Sequence, residues 1–253
     1  MSASKQCPFR NLLLASLPQD ELEILSREFE AVTLPRRTQL ELPNKKVDYI
    51  YFLESGITSI VSVTNYRKEA EVGIIGREGM TGLAVLHLND RSPYSAYMQI
   101  EGTAQRVEID AIRKAMERSF ECRRVFLAFA QAFMIQTSET AVTNVRATVE
   151  ERLARWLLMA QDRVQNVEIP LTHEFLSLMM AARRPGVTEA SHELARKGLI
   201  VGKRGKLVVI DRQGLEERAG SFYGLPEREL QRLLASGFGN DLAKTQVLQK
   251  SMT

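Results

Sequence analysis

The stretch LTHEFLSLMMAARRPGVTEASHELARKGLI, residues 171–200, decides how the rest of the chain is read. Pro170 leads into Thr172, a residue type that caps helix N-termini, and Leu171 and Leu176 stand where a hydrophobic staple would. This predicts a helix over 173–182. Arg183-Arg184-Pro185-Gly186 then breaks the pattern, and a second helix is expected through 187–197, closed by Gly198 with Arg196 and Lys197 in its last turn. On that helix Val187, Ala190 and Leu194 share one face, suited to packing on the first helix, while Arg184, Thr188, Glu189 and His192 share the other. Immediately beyond, LIVG, KRGK and LVVI read as strand, basic turn and strand, a two-stranded wing. The expected unit is a winged helix-turn-helix.

The charge is concentrated at the same place. Between Arg183 and Lys206 there are seven basic residues against two acidic ones, a balance of +5, whereas the whole chain carries only +3. A small global charge would not indicate a nucleic-acid partner; a local concentration on a helix pair does. The residue types fit base recognition: Arg bonds bidentately to guanine, Glu accepts from the cytosine amino group, and Pro or a Thr methyl touches the thymine methyl. Lys203, Arg204 and Lys206 on the wing suit phosphates, as do Thr172 and His173 through backbone N–H groups at a helix start. The bland alternative is a solvated basic face on a helical hairpin.

Working toward the N-terminus, VEERLARWLLMAQDRV from Val149 is an amphipathic helix in which Leu153, Trp156 and Leu157 belong to a core. From Asp110 to about Arg163 some 50 residues lack Gly and Pro, too long for one globular helix, so breaks are expected near Ser119 and between Thr143 and Thr148. Val125, Phe126, Phe129, Phe133 and Thr137 lie on one face of this segment and form the expected dimer seam. From Ala31 to Glu108 the texture changes to short apolar runs (AVTL, QLEL, YIYFL, ITSIVSV, AYMQI and TAQRVEI) separated by turn residues, which predicts a compact antiparallel β-structure. A short amphipathic helix precedes it at about Gln19–Phe29, and one or two short helices follow the wing between Leu215 and Leu234.

Composition excludes several functions. Two cysteines, Cys7 and Cys122, and three histidines, His87, His173 and His192, are too few and scattered for a four-cysteine zinc site or a four-thiolate iron–sulfur cluster. Haem would need Cys7 or His87 as a lone axial ligand. Cys122 beside Arg123 and Arg124 would be a redox switch if its thiolate were stabilised, and otherwise a small buried hydrophobe. No apolar stretch reaches membrane-spanning length and no signal-peptide core is present, so the chain is read as cytoplasmic, without a membrane partner. The motifs of nucleotide phosphate loops, serine hydrolases, dinucleotide folds and zinc proteases are missing, which argues against an enzyme. The competing reading is a ligand-binding or enzymatic protein in which the helix pair is incidental.

The order of small β-domain, long helix, VEERLARWLL helix, residues 171–200 and wing resembles the cyclic AMP receptor protein/fumarate-nitrate reductase regulator (Crp/Fnr) family. The likeness spans about residues 10–215. Tyr49–Val63, YIYFLESGITSIVSV, resembles the family's β-roll hairpin, and Glu71–Leu86, EVGIIGREGMTGLAVL, its glycine-marked phosphate cassette. The resemblance implies an α+β fold: a jelly-roll-like, cyclic-nucleotide-binding-domain-like β-roll over 1–118, a dimerisation helix over 119–145, a winged helix-turn-helix over 146–225 and a C-terminal helix and tail over 226–253. It implies a homodimeric transcription regulator that reads a roughly palindromic operator in double-stranded DNA, with RNA polymerase as a partner and a small-molecule effector in the β-roll. Base readout would fall to Arg184, Pro185, Thr188, Glu189 and His192, and phosphate contacts to Thr172, His173, Arg183, Lys203, Arg204 and Lys206. The effector pocket would lie at Gly82, Leu83, Tyr94, Ser95 and Ala96. Here the sequence departs from the family's cyclic-nucleotide binders, which carry Gly-Glu and Arg-Ser-Ala. Leu83 follows Gly82 and Tyr94 precedes Ser95-Ala96, so the ribose carboxylate and phosphate guanidinium are missing and no cyclic-nucleotide cofactor is expected.

Overall fold

The structure, a computed structural model, describes residues 7–63, 69–164, 168–170, 176, 179–180 and 182–235. Two short helices, α1 (Leu12–Ala15) and α2 (Gln19–Leu25), lead into seven strands: β1 (Glu30–Leu34), β2 (Gln39–Glu41), β3 (Tyr49–Leu53), β4 (Ile57–Val63), β5 (Glu69–Ile75), β6 (Ser95–Ile100) and β7 (Gly102–Glu108). A short helix, α3 (Leu83–Leu86), lies between β5 and β6. The strands form two antiparallel sheets ordered β1-β7-β3 and β2-β6-β4-β5, the β-roll expected from the short apolar runs. Strand β5 falls in the stretch read only as a glycine-marked cassette. Its Gly73 is demanded by packing, since a Cβ there would meet the Phe133 ring at 2.8 Å.

The long Gly- and Pro-free segment divides into α4 (Ile109–Arg118), α5 (Phe120–Arg146) and α6 (Val149–Val164). Ser119 makes the first break and caps α5 by accepting from the Cys122 N–H at 3.3 Å. Thr148 makes the second through a reciprocal capping box: its Oγ1 accepts from the Glu151 N–H at 3.3 Å, and the Glu151 carboxylate accepts from the Thr148 N–H at 2.7 Å. The 27 residues of α5 span about 40 Å at 1.5 Å per residue.

One core fills the β-roll and reaches onto α5 through Val125, Phe126, Phe129 and Phe133. These four residues are at most 9% exposed within their own chain, so the expected dimer seam is corrected: the β-roll needs a lid and takes this face. Thr137, also assigned to that seam, is half-buried and donates to the Phe133 carbonyl at 3.0 Å. The apolar residues left exposed on α5 are Phe120, Leu127, Met134, Val142 and Val145.

A second core joins Ile57, Ile74 and Ile100 of the β-roll to Leu153, Trp156 and Leu157 of α6 and to the C-terminal domain. Within it Glu71 is fully enclosed, its carboxylate accepting from Trp156 Nε1 at 2.9 Å and from the Ser59 hydroxyl. The C-terminal domain comprises β8 (Glu168–Pro170), α7 (Arg184–Arg196), β9 (Ile200–Lys203), β10 (Lys206–Val209) and α8 (Arg212–Ala219). Finally α9 (Leu225–Ala235) returns to pack on α5, burying Leu230 and accepting a 3.0 Å hydrogen bond from Arg124 at the Leu233 carbonyl. No helix among the described residues is long and apolar enough to cross a membrane.

Candidate nucleic-acid interface

Helix α7 begins three residues earlier than the sequence pattern indicates, at Arg184, with Arg183 in extended conformation before it. Pro185 and Gly186 therefore belong to its first turn instead of breaking the chain. The reason is positional: first-turn N–H groups have no helical acceptor, so proline loses nothing there and its fixed φ favours the turn. At the other end Gly198 adopts φ +75, its N–H bonds the Ala195 carbonyl at 2.9 Å, and the Leu199 N–H bonds that of Leu194 at 3.0 Å, a full Schellman closure.

The helix is two-faced. Val187, Ala190, Ser191 and Leu194 are buried against the domain core. Arg184, Pro185, Glu189 and His192 are exposed and Thr188 is half-exposed, its hydroxyl donating to the Arg184 carbonyl at 3.0 Å. All five residues expected to read bases thus lie on one outward surface. Of the expected preceding helix, Leu176, Met179 and Met180 are buried, and Met180 N–H bonds the Leu176 carbonyl at 3.0 Å. Thr172 and His173, assigned to phosphate contact, lie outside the described residues.

The wing differs from the expected pair of strands. It has three, ordered β8-β10-β9, because Glu168–Pro170 pairs with Lys206–Val208. That added strand brings Glu168 between the two wing lysines, its carboxylate 2.9 Å from both Lys203 Nζ and Lys206 Nζ. The two ammonium groups hold its pKa down, from 4.5 to about 2. Arg204 stands exposed at the tip beside Gly205, whose φ of +72 makes the turn, and is in no ion pair among the described residues. Carboxylates also occupy the end of α7: Arg196 pairs with Glu193 at 2.7 Å and Lys197 with Glu150 at 2.6 Å. The local +5 counted along the sequence is therefore reduced by Glu150 and Glu168, which lie outside the counted window. Arg183, Arg184 and Arg204 are exposed as well, and no carboxylate is seen paired with Arg204 among the described residues.

A cavity of about 660 Å³ lies between the β-roll and α5. Leu83, Tyr94 and Ala96 line it, as the sequence suggests for an effector pocket. Gly82 and Ser95, also expected there, are not among the residues that line it. Gly82, held at φ +76 and unable to carry a Cβ without meeting Ile50 at 2.7 Å, donates its N–H to Glu41 at 2.7 Å. The Ser95 hydroxyl accepts from Gln39 at 2.7 Å. Glu41 is a pocket residue that the sequence did not single out. It is held there by the pairing of β2 with β6, and burial raises its pKa against the lowering effect of the Gly82 bond. Cys122 is fully buried and its thiol is pushed up by burial, while Arg123 and Arg124 turn to the Met116 carbonyl and to Glu121. The thiolate-stabilising arrangement is therefore not made, and Cys122 is a core residue. His87 is exposed, one ring nitrogen 2.9 Å from the Leu83 carbonyl.

A β-roll, a long helix, and then a two-faced helix followed by a three-stranded wing define the architecture in this order. Residues 151–218 match the family model of the Crp-like helix-turn-helix domain. Among solved structures, the chain is similar to FixK2 from Bradyrhizobium japonicum, with a TM-score of 0.67 at 15% identity over 76% of this chain and 98% of that one. It is similar to a CRP-family transcriptional regulator from Thermus thermophilus, with 0.63 at 21% identity over 75% and 97%. It is also similar to the c-di-GMP-responsive global regulator CLP of Xanthomonas campestris, with 0.60 at 15% identity over 76% and 99%. A comparison with curated proteins finds no match. The chain thus has the fold of the Crp/Fnr transcriptional regulators and carries a Crp-like helix-turn-helix domain.

Proposed function

We propose that the chain is a cytoplasmic homodimeric transcription regulator that binds a roughly palindromic operator in double-stranded DNA, with no enzymatic role. The observation that carries this reading is the two-faced α7, whose outward face carries Arg184, Pro185, Thr188, Glu189 and His192 and which is followed directly by a wing with an exposed basic tip. Arg183 and Arg204 serve phosphates and fix the register; the five α7 residues discriminate bases. Dimerisation uses the exposed Leu127, Met134, Val142 and Val145 of α5, placing two recognition helices about one duplex turn, roughly 34 Å, apart. The cavity between β-roll and α5 is the effector pocket, and RNA polymerase is the downstream partner.

Fluorescence anisotropy with genomic fragments tests this. The native chain should select particular fragments, and Arg184→Ala should weaken the selected ones by roughly 10- to 100-fold while leaving arbitrary DNA nearly unchanged. Equal affinity for all fragments in the native chain would defeat the reading.

A further inference from the structure

The cavity beside α5 has an inner polar group of unexpected sign. Most of its wall is apolar, with Ile60, Val72, Leu83, Ala96 and Phe133 among the residues that face it. The hydroxyls of Thr137 and Ser138 at its α5 side are already committed, donating to the Phe133 and Met134 carbonyls at 3.0 Å each. Arg91 lies on the exposed rim, 3.6 Å from Asp90 and donating to the Asn44 carbonyl at 3.3 Å, with its side chain 60% exposed. Glu41, by contrast, is only 8% exposed. One of its oxygens takes the Gly82 N–H at 2.7 Å; the other has no hydrogen-bond partner among the described residues, although Glu41 lines the cavity.

The second Glu41 oxygen opens onto the cavity without a protein partner among the described residues, and natural pockets place such polar groups to meet a complementary ligand atom. A carboxylate also repels an anion brought beside it in a poorly solvated space, and the one guanidinium lining the cavity, Arg91, lies on its exposed rim beside Asp90. From Glu41 and the apolar wall around it, we infer that this pocket takes a ligand with an apolar body and an amino group, which donates to the free Glu41 oxygen, and that it rejects anionic ligands, cyclic nucleotides included. The inference rests on the reading of the cavity as an effector site. It adds the ligand class and assigns the selecting role to a residue of β2, outside the glycine-marked stretch. Burial lifts the pKa of Glu41, and an ammonium group arriving beside it favours the charged carboxylate, so the pair forms on binding.

Two environment-sensitive probes of similar size test it on the full chain: dansylcadaverine, ending in an amine, and dansyl-6-aminohexanoic acid, ending in a carboxylate. Dansyl fluorescence should report binding of the amine at least tenfold tighter than the acid, with cyclic AMP failing to displace it. Glu41→Gln keeps an oxygen for Gly82 and should abolish the preference. Ala130→Leu, which narrows the pocket from α5, should weaken the amine probe and so locate it. Equal binding of both probes, displacement by cyclic AMP, or a preference that survives Glu41→Gln overturns the ligand class and leaves the effector-pocket reading standing. Binding of neither probe, with the variants folded by circular dichroism, overturns both; the DNA-binding assay above is independent of either result.

Discussion

At the scale of single residues, acidic side chains decide which cations remain open to an anionic partner. Glu168 pairs with Lys203 and Lys206, so two of the three wing bases share a carboxylate while their side chains remain exposed. An exposed pair of this kind contributes little to stability, but it competes directly with phosphates for the same ammonium groups. Glu168→Gln should therefore tighten binding to an arbitrary duplex by roughly three- to tenfold at low salt and steepen the salt dependence by about one to two units of log–log slope. Anisotropy titrations at several salt concentrations measure both; weaker binding by the variant would contradict the competition. Arg204, in no such pair, should lower the slope by about one when replaced by alanine. The wing's basic turn was legible in KRGK, but its partial neutralisation was not, because Glu168 lies 35 residues from Lys203 along the chain.

At the scale of elements, two side chains dock the β-roll onto the helices that follow it. Gln136 of α5 accepts the Ile74 N–H at 2.7 Å and donates to the Ile74 carbonyl at 3.1 Å, a paired amide bond inside the core. Gln136→Leu removes both partners' satisfaction at a buried site and should cost about 2–3 kcal/mol in chemical denaturation. A loss below about 0.5 kcal/mol would mean that water replaces the amide. Glu71 couples β5 to α6 through Trp156. Burial raises its pKa from 4.5 to about 8, against the lowering effects of Ser59, Trp156, Arg155 and Arg163. In the folded chain the carboxyl thus keeps a proton that the unfolded chain has released. Its contribution to stability is full below about pH 4.5 and is lost as pH rises through about 8. Between pH 5 and 7 the loss is of the order of 2 kcal/mol. Glu71→Gln mimics the protonated acid and should flatten that part of the profile, making the variant the more stable of the two at pH 8. Parallel denaturation profiles for variant and native chain would rule out Glu71 as the titrating group.

At the scale of the whole molecule, α5 serves the β-roll core on one face and carries exposed apolar residues on another. Its phenylalanine face closes the β-roll, so only the opposite face is available to a second copy. Met134→Asp places a charge in that exposed face without touching the internal core, and should convert the proposed dimer to monomer in light scattering while leaving the circular dichroism spectrum intact. A dimer that persists would move the interface elsewhere. Helix α9 ties the end of the chain to two earlier helices: its Leu233 carbonyl accepts from Arg124 of α5, and its Glu227 stands 3.7 Å from the buried Arg163 of α6, which pairs with Glu78 at 2.8 Å.

Local signals carried most of the architecture. The alternation of short apolar runs, the Thr-x-x-Glu cap at Thr148 and the turn glycines act within a few residues, so the β-roll, both breaks in the helical segment and the outward face of α7 could be read from order alone. The misread places are those where a distant neighbour overrides the local pattern. An apolar helical stripe is the same whether a sheet or a second chain covers it, and only the folded β-roll shows that Val125, Phe126, Phe129 and Phe133 are already used. Strand β5 was hidden in a glycine-marked stretch because its glycine answers to Phe133, 60 residues away in sequence. The chain's order of residues by itself determined a β-roll, a long helix and a two-faced helix before the wing, since these follow from short-range periodicity and turn chemistry. Tertiary structure alone decided which face of α5 is free, which lysines are paired and which carboxylate looks into the cavity, because each depends on burial and on charges that sequence distance conceals.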